Sequence, residues 1–168
     1  MGMAQLINAC DLLTDQHTQV DALFAILEGD GGGKREAFVK LADLLAAHAT
    51  IEEKIFYPRV MSQKTDDMLH ESVEEHLGIK RVLADMLTMK LDSDEFAAKV
   101  SVLKEQVSHH AHEEEEEKLF PIVKKAMSAD ELAAMGNELI VMFEDLMGKS
   151  PRNNVPSETK KAAQLPAV

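Results

Sequence analysis

The chain has 168 residues, 30 acidic and 18 basic, for a formal net charge of −12, so it can build one domain with a real core and is poorly suited to nucleic acid or an anionic membrane surface. Aromatic residues make up 4%, Trp is absent, and Leu, Ala, Met, Glu and Lys dominate, a composition that favours helix over sheet. The single cysteine, Cys10, excludes an intrachain disulfide and a cysteine-based zinc site. No apolar run is long enough to span a bilayer, and the N-terminus lacks the basic-then-apolar pattern of a signal peptide, so a soluble cytoplasmic protein is expected.

The first predicted helix runs from about Met3 to Glu28, with Leu6, Cys10, Leu13, His17, Val20, Phe24 and Leu27 on one face. Their steps alternate between four and three, the pattern of a helix in a bundle. Gly29 to Gly33 breaks the pattern and reads as a turn; with Lys34 followed by Arg35, it is a poor phosphate-binding loop. The second helix starts near Arg35 and carries the stripe Phe38, Leu41, Leu45, His48, Glu52, Ile55, with Pro58 weakening its last turns. Thr65-Asp66 offers a cap for a third helix that buries Leu69, Val73, His76, Ile79 and Leu83.

Asp92 to Glu95 turns the chain into a fourth helix with the stripe Phe96, Val100, Leu103, Val107, His110, Glu114, and Pro121 ends its regular part. Ser128 and Glu131 form a capping box opening a fifth helix to about Met147. Residues 148–168, rich in Pro, Asn, Ser and Lys, read as a disordered tail after a single domain over 1–147.

The two halves are alike. His48-Ala-Thr-Ile-Glu52 precedes Pro58, and His110-Ala-His-Glu-Glu114 precedes Pro121, each after a helix with one stripe histidine, His17 or His76. The chain is therefore two degenerate helical hairpins, and the expected fold is all-α: an antiparallel up-down four-helix bundle with an additional C-terminal helix. The second half has one more residue between glutamate and proline, so its last-turn geometry should differ.

Six polar side chains, His17, His48, Glu52, His76, His110 and Glu114, fall where the pattern demands apolar ones. Burying any one of them unpartnered costs about 1–3 kcal/mol or more, so they need a common partner. His17 and His48 lie at similar distances from the glycine turn, and His76 and His110 at equal distances from the Asp92–Asp94 turn, which sets each pair at one level of the bundle. Each glutamate follows its histidine by one helical turn. Four imidazoles and two carboxylates converging on the axis suit iron, manganese or zinc, and two carboxylates able to bridge suit a dinuclear centre. Of the neighbouring groups, His112 with Glu116 is an alternative pair, the rest of Glu113–Glu117 reads as a solvated face, and Tyr57 reads as core or rim, with a radical or proton-donor role open to it.

The ordered set around His17, His48–Pro58, Glu75-His76 and His109–Glu114 resembles the bacterial hemerythrin-like, or HHE cation-binding, family over about Leu6 to Leu146. That resemblance implies a bundle holding two iron ions, oxo- or hydroxo-bridged, on His17, His48, Glu52, His76, His110 and Glu114. It also implies dioxygen, peroxide or nitric oxide as the ligand. Oxygen-carrying members have a fifth histidine where this chain has Ser72, and His70 is turned off that face. The resemblance therefore implies a more open or oxygen-rich site, with Glu53 a candidate extra carboxylate. Function is expected to be binding, sensing or reaction of such a ligand. The alternatives are a catalase-like or nitric-oxide-consuming enzyme, or an iron-storage or zinc-bound structural bundle.

Overall fold

The computed structural model describes residues 6–168. Among them there is no strand, and the fold is a helical bundle. The first helix is Ala9–Glu28. Its start was expected at Met3; Met3 to Gln5 lie outside the described residues, and Leu6 is 65% exposed rather than on the buried stripe. Asn8 sets the boundary, because its Oδ1 accepts the Cys10 N–H at 2.9 Å.

The second helix is a continuous run: an α-helix Lys34–Ile51, a π-helical turn Glu52–Phe56 and a last α-turn Tyr57–Val60. The third is Asp66–Met86. Thr65 stands at its N-cap, but its hydroxyl instead donates to the Val60 carbonyl at 2.8 Å, closing the corner from the second helix. The fourth helix is again composite: Asp94–Ser108, a long π-helical stretch His109–Leu119, and Phe120–Ala126. Ser93 caps its start by accepting the Phe96 N–H at 3.1 Å.

Neither proline stops its helix. A proline has no N–H and its ring crowds the carbonyl of the preceding turn, and a widened π-turn ahead of it absorbs both effects. The fifth helix, Ala129–Met147, opens on the expected reciprocal Ser128–Glu131 box and packs on the first two helices. Gly136 makes that approach possible, since a Cβ there would lie 2.0 Å from the Ile7 carbonyl oxygen.

The expectation of a disordered tail over 148–168 is corrected. Pro151–Glu158 forms a 3-10 helix lying on the second and third helices, with Val155 fully buried. Asp43 holds it down by accepting the Arg152 backbone N–H at 3.0 Å and its guanidinium at 2.7 Å. Arg81 donates to the Thr159 carbonyl at 2.9 Å. Polar composition suggested a chain with nothing to bury, whereas Pro151, Val155, the Asp43–Arg152 pair and the Arg81 hydrogen bonds dock this short segment against helices already in place.

The apolar core is in two parts. One, around Phe24, Phe38, Leu83 and Leu103, fills the end with the two interhelical turns. The other, around Leu13, Phe56, Leu69 and Leu119, fills the opposite end under the fifth helix. Between them lies a band of buried polar groups that includes His17, His48, Glu52, His76, His110 and Glu115. No described helix is long and apolar enough to cross a membrane.

Candidate metal centre

Five of the six expected residues meet in that band: His17, His48, Glu52, His76 and His110 are each 7% exposed or less. The sixth is corrected. Glu114 points away from the axis to Lys118 Nζ at 2.6 Å and His109 Nε2 at 3.6 Å. Its neighbour Glu115 is fully buried among the histidines. The cause is the π-helix: with its wider turn, the residue five after His110, not four, returns to the same face.

One sequence signal could have found Glu115. Glu52 and Glu115 each precede a proline by six residues, Pro58 and Pro121. The extra residue of the second half therefore lies between histidine and glutamate, not between glutamate and proline.

Two groups of donor atoms, each gathered within 4.8 Å, could hold a cation: His17, His48, Glu52 and Glu115 in one, and Glu52, His76 and His110 in the other. Glu52 belongs to both. Its Oε1 is 2.8 Å from His48 Nε2 and its Oε2 is 3.0 Å from His76 Nε2. Glu115 also spans them, with Oε1 3.4 Å from His17 Nε2 and 3.1 Å from His110 Nε2.

The other ring nitrogens fix the tautomers. His48 Nδ1–H donates to Gln16 Oε1 at 2.6 Å and His17 Nδ1–H to Glu116 at 2.8 Å. His76 Nδ1–H donates to Glu53 at 2.9 Å and His110 Nδ1–H to Glu75 at 3.2 Å. A neutral imidazole carries one N–H, so all four Nε2 lone pairs face the axis, as they do when a second group orients a metal-binding histidine. Nε2 of His17 and His48 are 3.2 Å apart and those of His76 and His110 are 2.9 Å apart. Lone pairs so placed beside two carboxylates repel unless positive charge lies between them. Glu52 Oε1 and Glu115 Oε1 are buried without a hydrogen-bond donor. The donor set therefore fits a pair of cations.

Protons are the alternative source of that charge. Burial disfavours the imidazolium of His17 and His110, but the Glu115 carboxylate outweighs it and holds both above the usual histidine range, His110 well above. At His76, burial and the neighbouring His110 work against the charged form, and Glu52 and Glu53 overcome them. Burial disfavours a charged Glu52, yet His48, His110 and His76 hold it well below the carboxylate range.

Glu53, expected as an extra carboxylate near the metal, stands behind His76 instead and is held by Lys80 Nζ at 3.0 Å. His112 and Glu116 likewise form an outer layer, in which Asp21, His112, Glu116 and His17 are linked in series. His70 is 56% exposed beside Asp66.

Sequence reading underrated Tyr57. It is fully buried, and its hydroxyl donates to Glu52 Oε2 at 3.0 Å while lying 3.3 Å from Nε2 of both His76 and His110. Burial and the Glu115 and Glu52 carboxylates push its pKa well up, so it keeps its proton. Ser72 is buried as well, its hydroxyl donating to the Met68 carbonyl at 2.9 Å.

The sequence profile of the hemerythrin HHE cation binding domain matches residues 8–123, the stretch that supplies every residue of this band. The chain belongs to the hemerythrin HHE cation-binding family. As a hemerythrin-like metal-binding domain it also matches the crystal structure of an HHE cation binding domain-containing protein of Mycobacterium kansasii. The TM-score is 0.75 over 92% of this chain and 95% of that one, at 18% identity, a likeness of fold. A protein of Nostoc sp. (strain PCC 7120) described as a DNA nickase is 28% identical over 136 residues. Those residues are 80% of this chain but 38% of the Nostoc protein.

Proposed function

We propose that the chain is a cytoplasmic non-haem di-iron protein whose centre takes dioxygen, peroxide or nitric oxide. In this reading His17 and His48 would hold one iron and His76 and His110 the other, with the Glu52 and Glu115 carboxylates available to both. The observation that carries it is the pair of buried donor groups sharing Glu52, with every Nδ1 proton already committed elsewhere. Mixed imidazole and carboxylate donors suit iron, manganese or zinc, and family membership favours a redox-active metal over a purely structural one. When bound, two iron ions supply changes of oxidation state and coordination positions for a small ligand.

The protein contributes position and a proton. Glu75, Glu53, Glu116 and Gln16 hold the four imidazoles in one tautomer. Tyr57 keeps an O–H in the band, donated to Glu52 and within hydrogen-bond reach of the His76 and His110 rings. Splitting the O–O bond of peroxide requires proton delivery, so peroxide is the ligand for which this phenol has most to offer. The activity named for the Nostoc protein is that of a much longer chain, and a net charge of −12 argues against carrying it over to a polyanionic substrate.

Metal content, electronic spectrum and steady-state consumption of peroxide and nitric oxide, measured on one sample, test the proposal. About two irons per chain with near-ultraviolet oxo-to-iron bands and peroxide turnover are expected. A single metal per chain after iron loading, or zinc alone, would overturn it.

A further inference from the structure

On the side of the four imidazoles away from Tyr57's helix end, the structure holds a small cavity of about 30 Å³ whose walls include His17, His48, His76 and His110. Its remaining walls are almost wholly apolar, among them Leu45, Ala49, Ile79, Leu83 and Val107. One further wall, Val155, comes from the 3-10 helix Pro151–Glu158, outside the stretch matched by the family profile. A water-sized sphere needs roughly 10–15 Å³ by this measure. The cavity thus has room for a two-atom molecule, and its apolar lining gives water few partners.

The wall is attached, not merely adjacent. Arg152 is paired with Asp43, and Arg81 binds the carbonyls of Thr159 and Lys160. Lys80, which lines the cavity and holds Glu53 behind His76, lies 3.9 Å from Glu158.

We propose that residues 151–158 form a strap closing an apolar pocket over the metal centre, and that Val155 sets the size of uncharged ligand that reaches it. The ligand class is a small apolar diatomic molecule, dioxygen or nitric oxide. The ligand assignment rests on the function proposed above; the pocket and its closure do not.

Xenon probes the pocket without reference to metal chemistry, because it binds dry apolar cavities. Xenon-pressurised crystals of the iron-loaded wild type should show an atom between Val155 and the imidazoles. Val155→Leu, which adds one methylene toward the cavity, should abolish that atom and slow nitric oxide association with the reduced protein by about tenfold. Arg152→Met leaves the core untouched and loosens the strap, so it should speed association several-fold with iron content unchanged. Folding and iron content of each variant are checked by circular dichroism and metal analysis. If Val155→Leu fails to fold, Arg152→Met and the wild-type xenon position decide the matter. No xenon in the pocket, or association rates unchanged in Arg152→Met, would overturn the strap. Xenon bound as described in a protein that takes up neither dioxygen nor nitric oxide would keep the pocket and strap and remove the ligand assignment; the proposed function would fall with it only if peroxide is not consumed either.

Discussion

Glu52 and Glu115 are structural equivalents: the Glu52 carbonyl accepts the N–H of Tyr57, and the Glu115 carbonyl accepts that of Phe120, each five residues on. Both π-helical stretches lead into a proline, and each closes on a bond to the carbonyl of the glutamate that spans the two donor groups. The halves differ in that the second is already π-helical at His109, so its histidine and glutamate are five residues apart rather than four.

This equivalence separates Glu115 from the glutamates around it. Glu115→Ala removes a fully buried carboxylate facing His17 and His110, and should lower bound metal by about half or more. Glu114→Ala removes only the surface pairing to Lys118 and His109, which is worth about 0–1 kcal/mol, and should leave metal content unchanged. Metal analysis of the two proteins after identical iron loading checks this, and equal losses would count against the π-helical phase.

Most of the bundle is legible from the stripe alone. Four histidines and Glu52 interrupt it at one depth, and a regular helical step carries the eye to each of them. The step fails at Glu115, because a π-turn is a tertiary accommodation with no propensity signature of its own; only the common spacing to Pro58 and Pro121 reports it. Tyr57 follows Glu52 by five residues, off the face of a regular helix, and reaches the centre because the same widening turns it inward. The strap is hidden for another reason. Only Pro151 and Val155 carry its burial, and two residues in a short polar segment set no periodicity for a sequence pattern to reveal.

Tyr57→Phe keeps the ring and deletes the hydroxyl. Glu52 Oε2 then loses its donor at 3.0 Å. Removing one partner of a buried hydrogen bond costs about 1–3 kcal/mol, so the metal-free protein should unfold at lower urea. Iron content should hold, since the imidazoles and both carboxylates remain. Peroxide turnover should fall by about 10²-fold or more if the phenol supplies the proton. Unchanged turnover at equal iron content would limit Tyr57 to a packing role.

Removing the metal should make stability depend on pH in a defined direction. His17, His76 and His110 have raised pKa values in the fold, so their contribution is complete below the unfolded value of about 6.5. It is lost as pH rises through the folded values. Glu52, Glu53 and Glu115 have lowered values, so theirs is present above about pH 4.3 and lost on further acidification. The chelated protein should therefore be more stable at pH 6 than at pH 8.5. The iron-loaded protein should not show that alkaline loss, because cations replace the protons. Urea midpoints at both pH values, with and without chelator, check the sign.

The outer layer predicts that, in the proposed two-metal centre, the two positions are unequal. His76 and His110 are both backed by carboxylates, Glu53 and Glu75, whereas His48 is backed by the neutral amide of Gln16 and only its partner His17 by a carboxylate, Glu116. A carboxylate behind an imidazole raises its basicity and its hold on a metal, and loss of such a partner typically costs about 10- to 100-fold in affinity. The position served by His17 and His48 should therefore release its metal first in a chelator time course. Glu53→Gln should narrow the difference by weakening the other position, and it also frees Lys80 from its bond at 3.0 Å. Gln16→Glu should narrow it from the opposite side, slowing the fast phase, provided the new carboxylate stays ionised beside buried His48. Biphasic release in the wild type, with the fast phase slowed in Gln16→Glu and the slow phase quickened in Glu53→Gln, is the expected result. A single phase in all three proteins would count against two distinguishable positions.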